Sequence, residues 1–291
     1  MRAELVLAEL LIVVILFSAT VLLIAVLFKR ISLRKIYIQS VSVFFLLLTT
    51  LFHSIGCILH ITSFIVLTMG WRESISRALQ IELGYIAGLV IICLRVFYDC
   101  ATWALFVQRI LVILYPFKKL VCLHKWFIVT LVVLSTLHSV ALFVLYLPAA
   151  LEDSTPIPSG CFSFTCMAQS ENIKTYSSIM RSVLGLMIIA TGCVLLVLFK
   201  WKKITTGNSH DAKLHAVMRY FFFLRIVLEI IPYAVDLILL KTIGVSAALY
   251  VGSYGLLGNS TDVFVCTLLL FRVLSAQHKV TTLHRRRKTT S

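Results

Sequence analysis

A chain of 291 residues that is 60% hydrophobic and only 13% charged is not built as a soluble globular protein, which carries about 25% charged residues. The deficit reads as lipid-facing surface, with the bilayer as partner. A formal charge of +15 would suit nucleic acid, but the cations are confined to short stretches between apolar runs, which excludes a basic DNA-binding face.

A spanning helix needs roughly 20 apolar residues, and seven such segments with their loops use nearly the whole length. The first span is expected over 5–28, closed by Lys29-Arg30 and Arg34-Lys35, with Glu9 near its outer end. Its apolar run exceeds the roughly 7–15 residues of a signal-peptide core, so an uncleaved span is expected. The second covers 36–64, interrupted only by Gly56 and the histidines His53 and His60. After Gly70-Trp71-Arg72-Glu73 comes the third, 79–114, and then the fourth, 126–147, which Pro148 is expected to stop. A polar stretch with Pro156, Pro158, Gly160 and two cysteines leads to the fifth span, 176–199. Lys200-Trp201-Lys202-Lys203 opens a basic loop reaching Arg219. The sixth span, 220–240, is bent at Pro232, the seventh runs over 245–274, and 275–291 is a basic tail. One domain, 1–291, follows, without internal repeats.

Orientation comes from the asymmetry of the basic residues. With the amino terminus outside, nineteen lysines and arginines fall on the cytoplasmic side, among them Lys29, Arg30, Arg34, Lys35, Arg109, Lys125, Lys200 and Arg272. Only Arg2, Arg72, Arg77, Lys174, Arg181 and Lys241 fall outside. The expected fold is therefore an all-α membrane protein, a seven-transmembrane helix bundle with its tail inside.

The stretch from Cys93 to Lys119 carries the most specific pattern. Arg95 and Asp99, four apart in an apolar segment, share one helix face. Arg109 then closes the span, and Tyr115-Pro116-Phe117-Lys118-Lys119 follow. An arginine ending a membrane helix, with a proline seven residues on, resembles the third helix of rhodopsin-like G-protein-coupled receptors. The resemblance implies coupling to a heterotrimeric G protein through Arg109, Tyr115, Pro116, Lys118, Lys119, Lys202 and Lys203. Gln108 and Ile110 stand where the commoner pattern has an acid and an aromatic. Most such receptors also tie the second outer loop to a cysteine at the outer end of the third helix, near Gly84 here, where there is none. Of eight cysteines, only Cys161 and Cys166 clearly face the oxidising side. Their mutual bridge is the first expectation, and a link from one of them to Cys57 is the alternative.

Pro158-Ser159-Gly160-Cys161, four residues and then Cys166 look like the Srbc class of nematode serpentine chemoreceptors. Members are similar in length and in their basic inner loop before a proline-bent sixth helix, matched here by Lys200–Arg219 and Ile231-Pro232-Tyr233. The resemblance implies a receptor for a small chemical cue in the plasma membrane of sensory neurons, on ciliated endings. The chain departs from the wider rhodopsin-like pattern in its first, second and seventh spans. No asparagine, aspartate or Asn-Pro pair stands there in the usual place, so the usual inner sodium site is not assembled.

Ionisable residues inside spans cost roughly 2.5–3.5 kcal/mol each and mark function by default. Arg95 lies about 21 Å, and Asp99 about 15 Å, beyond Arg109 at the helical rise per residue. Two readings stand: a self-neutralised pair, or a ligand anchor in the outer half. Arg225 and Glu229 repeat the spacing just before Pro232 and suit a contact that holds the resting state. Asp236, one turn beyond Pro232, is a pocket candidate. Asp262 has no partner in its own span and has Arg95 or Arg225 open to it. His53 and His60 suit interhelical hydrogen bonds, and Arg285–Lys288 suit either anionic lipid or solvent. No cofactor, no metal-ligand cluster and no nucleophile–base constellation is expected, and hence no enzyme. The rival readings are a seven-helix transporter, which usually shows paired broken helices, and an odorant-gated channel subunit.

Overall fold

A computed structural model of the protein describes residues 3–68, 77–115, 121–152, 171–201, 210–243 and 254–289. All regular structure among them is helical. The helices are α1 (Ala3–Arg30), α2 (Leu33–Gln39), α3 (Val41–Thr68), α4 (Arg77–Leu114), α5 (Val121–Glu152), α6 (Glu171–Trp201), α7 (His210–Arg225), α8 (Ile231–Ile243) and α9 (Tyr254–Thr289). A π-helical turn, Ile226–Ile230, joins α7 to α8.

Six helices among the described residues are long and apolar enough to cross a membrane. Their apolar stretches are Leu7–Arg30, Val41–Ser63, Ile86–Leu114, Cys122–Pro148, Ser182–Trp201 and Gly255–Ala276. The segment expected as a single sixth span differs. It is helical from 210 to 243 but divided by the π turn, and it carries Arg225 and Glu229 at the division.

Two boundaries correct the sequence expectations. The second span does not begin at Ile36, because Ser40 is extended (φ −159°, ψ 108°) and separates α2 from α3. The Ser40 hydroxyl oxygen accepts the Val43 N–H at 3.3 Å, an N-cap for α3. Nor does Pro148 stop the helix of the fourth span, since α5 runs through it to Glu152, although the apolar stretch ends at Pro148. A proline deletes one N–H, a loss that membrane helices tolerate.

Contacts between helices give the neighbour order. A ring of α1, α3, α4, α6, α7 and α9 closes on itself, α4 touches α3, α5 and α6, and α5 packs on its outside. Helices α1, α3, α4 and α5 alternate in direction. At one end the Arg30 guanidinium, closing α1, lies 5.6 Å from the Phe271 ring centre of α9. At the same end Ser40, opening α3, donates to Gln108 Oε1 near the end of α4 at 2.9 Å. There too Ser42 of α3 pairs with His124 at the start of α5. Lys29, Arg30, Arg34, Lys35, Arg109, Lys125 and Arg272 therefore gather at one end of the bundle.

Candidate functional site

Halfway along the bundle, α4, the α7–π segment and α9 turn their ionisable residues toward one another. Asp99 falls at the middle of the apolar stretch Ile86–Leu114. Arg95 and Asp99 do meet, Nε to Oδ2 at 3.2 Å. Each also reaches across: Arg95 Nη2 lies 2.5 Å from Glu229 Oε2, and Asp99 Oδ1 lies 2.6 Å from Arg225 Nη1. The two pairs written four apart in the sequence thus interlock into one cluster. Arg225 Nε adds contacts to Glu229 Oε2 at 3.6 Å and to Asp262 Oδ2 at 3.3 Å. Of the two partners open to Asp262, the geometry selects Arg225. Arg225 is the hub, with carboxylates from α4, from its own segment and from α9 around one guanidinium.

Burial is deep. Asp99, Arg225, Glu229 and Asp262 are all buried, and the Arg95 side chain keeps 17% exposure, which makes it the accessible edge of the cluster. Such charges do not stabilise a fold relative to well-packed apolar residues. They select neighbours, because lipid gives one apolar helix face no hydrophobic reason to prefer another. Among the described side chains three carboxylates face two guanidiniums.

Three further groups complete the arrangement. The Tyr98 ring lies 4.6 Å from the Arg225 guanidinium, a cation–π contact, and its hydroxyl donates to Asp262 Oδ2 at 3.3 Å. The Cys266 thiol donates to Asp262 Oδ1 at 3.4 Å. His53 stacks on Tyr98 at 5.6 Å with the rings 8° from parallel. His53 Nε2 also bonds Asn259 Nδ2 across to α9 at 2.9 Å, and its edge meets Phe17 of α1. Sequence reasoning singled out neither Tyr98 nor Cys266. The available signal was position: Tyr98 follows Arg95 by three and Cys266 follows Asp262 by four, so each shares its helix face with a charge.

The π turn supplies the fit between the bent segment and α9. Pro232 lacks the N–H that would bond the Leu228 carbonyl in an α-helix, and the Ile231 N–H instead reaches back to the Ile226 oxygen. The Leu228 carbonyl oxygen comes to rest against Gly258 of α9, 2.2 Å from where a β-carbon would stand. Only glycine leaves that space.

The other expected site residues fall elsewhere. Arg109 is buried at the basic end, and Tyr115 follows α4 with its side chain half exposed. Asp236 lies on α8, one turn beyond Pro232, with its side chain outside the described residues. Pro116, Lys118, Lys119, Lys202, Lys203, Cys161 and Cys166 lie outside the described residues. Cys57 is a free, buried thiol. Among the described residues no group of three or more His, Cys, Asp and Glu side chains is placed to hold a metal ion. The chain matches no family model, no curated protein and no solved structure.

Proposed function

We propose that the protein is a seven-helix, G-protein-coupled chemosensory receptor of the nematode serpentine type, with its amino terminus outside the plasma membrane and its tail inside. The observation that carries the reading is the ionic bridge between α4 and the bent α7–π–α8 segment, Arg95 to Glu229 and Asp99 to Arg225. A receptor needs two packings of nearly equal energy that a ligand can bias, and a charge bridge across a proline-bent helix supplies a contact that can be exchanged. Counting 210–243 as the remaining span gives seven. The neighbour order, a ring in which α4 joins α3 to α6 and α1 joins α3 to α9, supports that count. The cations shared at one end support the orientation.

In this reading a small cue entering from outside meets Arg95 first and competes for it with Glu229. Loosening that bridge lets the bent segment leave α4 and uncovers Arg109 to the G protein. The test is expression in cells with a calcium or cyclic-nucleotide readout, a ligand screen, and separate measurement of surface level. Arg109→Ala should abolish the response at unchanged surface level and ligand binding. A tag on the amino terminus that is reachable only after permeabilisation overturns the receptor.

One observation favours a second reading. Acids and guanidiniums buried midway through a bundle also line proton and ion paths in transporters. Substrate uptake into proteoliposomes that is abolished by Arg225→Gln would assign the chain there.

A further inference from the structure

Beside the basic end of the bundle lies a surface the receptor reading does not use. Helix α2 is too short to span anything and is separated from α3 by the extended Ser40. It buries Ile36 and exposes Leu33, Tyr37 and Ile38, the last at 70%. Arg34 is exposed on the same helix and Lys35 half exposed. From the start of α5, Lys125 Nζ reaches within 5.5 Å of the Tyr37 ring centre, and Tyr37 in turn packs edge-on against Phe44 of α3 at 5.6 Å. Next to Lys125, Trp126 is 67% exposed. None of these three cations has an acidic partner among the described residues.

The patch is thus basic at one edge and apolar at the other. Its apolar edge runs on into the outward face of α5, where Val129, Val133, Leu137 and Val140 are exposed. A soluble acidic protein would satisfy the cations but could not reach the valine–leucine face, which lies at the depth of the lipid. An amphiphile satisfies both edges at once: a phosphate beside Arg34, Lys35 and Lys125, glycerol at the aromatic level, and acyl chains along α5.

We propose that the α2–α5 corner is a binding site for one anionic phospholipid, with Arg34, Lys35 and Lys125 around the headgroup and Tyr37 and Trp126 at the glycerol level. Each cation near an anionic headgroup is worth about five-fold in affinity, so removing three should cost roughly 100-fold.

The full chain, purified in detergent, is given phosphatidylserine or phosphatidylcholine of matched acyl chains, and retained lipid is read by native mass spectrometry. The wild-type protein should retain phosphatidylserine in preference. The combined variant Arg34→Gln, Lys35→Gln, Lys125→Gln should lose that preference by roughly 100-fold at unchanged thermal stability, and the pair Lys29→Gln, Arg272→Gln should keep it. Tyr37→Ala, which leaves the charge untouched, should weaken retention of both lipids. Equal retention of the two lipids by the wild-type protein overturns the proposal. Equal loss in the two charge variants also overturns it, since the effect is then diffuse charge and not a site. If the triple variant does not fold, the three single variants, each expected to lose about five-fold, carry the test, and no loss in any of them overturns it.

Discussion

Helices α4 and α5 pack side by side and are drawn from much the same apolar alphabet, yet far more of the apolar stretch of α4 is buried than of that of α5. The polar groups explain the difference. In α5, Thr130, Thr136 and Ser139 donate to carbonyls four residues back, Trp126, Val132 and Ser135. Their needs are met inside their own helix, so that face can look into lipid. In α4, Arg95 and Asp99 satisfy each other only in part, and the rest of their demand is met by Glu229 and Arg225. A helix whose polar groups cannot be satisfied locally must have neighbours. In a membrane that requirement, more than hydropathy, decides which helix sits inside.

The sharpest way to break the contrast is to delete the hub. Arg225→Ala strands three carboxylates that now share its guanidinium, and truncating one partner of a buried pair costs about 3–5 kcal/mol. Leu137→Ala on the lipid face of α5, 60% exposed, should stay within about 0.5 kcal/mol. Thermal unfolding of the two purified variants should separate them clearly, and equal melting temperatures would dissolve the distinction between the helices.

The next effect in size concerns backbone approach. Gly258→Ala sets a methyl group against the Leu228 carbonyl, which cannot rotate away as a side chain would, and overpacking of this kind costs about 1–3 kcal/mol. Gly185→Ala on α6 meets open space and should be neutral or mildly stabilising in the same melt.

Within the cluster, Asp99 and Asp262 should not respond alike. Asp99 holds both guanidiniums, at 2.6 and 3.2 Å, while Asp262 holds one, at 3.3 Å. Asp99→Asn should therefore cost more than Asp262→Asn, by about 1.5–3 kcal/mol, the difference of one charge-assisted bond. A reversed order in chemical denaturation would mean that the cluster depends more on Asp262 than on Asp99.

The smallest effect tests the attachment of α5 itself. Ser42 of α3 pairs with His124, and interhelical hydrogen bonds in membranes average about 0.6 kcal/mol. Ser42→Ala should lower stability by about that much. A loss several times larger would show α5 to be held as firmly as α4.

The helices were legible because a run of some twenty apolar residues is helical in lipid whatever its neighbours are. The site was legible by halves. Four-residue spacing put Arg95 with Asp99 and Arg225 with Glu229 on common faces, but exchange of partners between the pairs depends on which helices adjoin, and no local pattern encodes that. Asp262 waited on the same information. Pro148 and Pro232 look alike as sequence, yet α5 continues through the first while the second accompanies a π turn. The difference lies beyond the prolines: the Leu228 carbonyl, freed by Pro232, faces a glycine on another helix. Ser40 was overlooked because one extended residue between helices leaves the apolar average unchanged.

The contact of Leu228 with Gly258 has one more consequence. Two backbones that touch without an intervening side chain have no knob to climb over, so the bent segment can rock on α9 about this point as a lever on a fulcrum. From Leu228 to His210 is about 27 Å of helix at 1.5 Å per residue, so a tilt of roughly 10° moves that end by about 5 Å. The ion pairs sit beside the fulcrum, where the same tilt shifts atoms by about an ångström. Little travel among the charges thus becomes a wide displacement at the end that carries the basic residues.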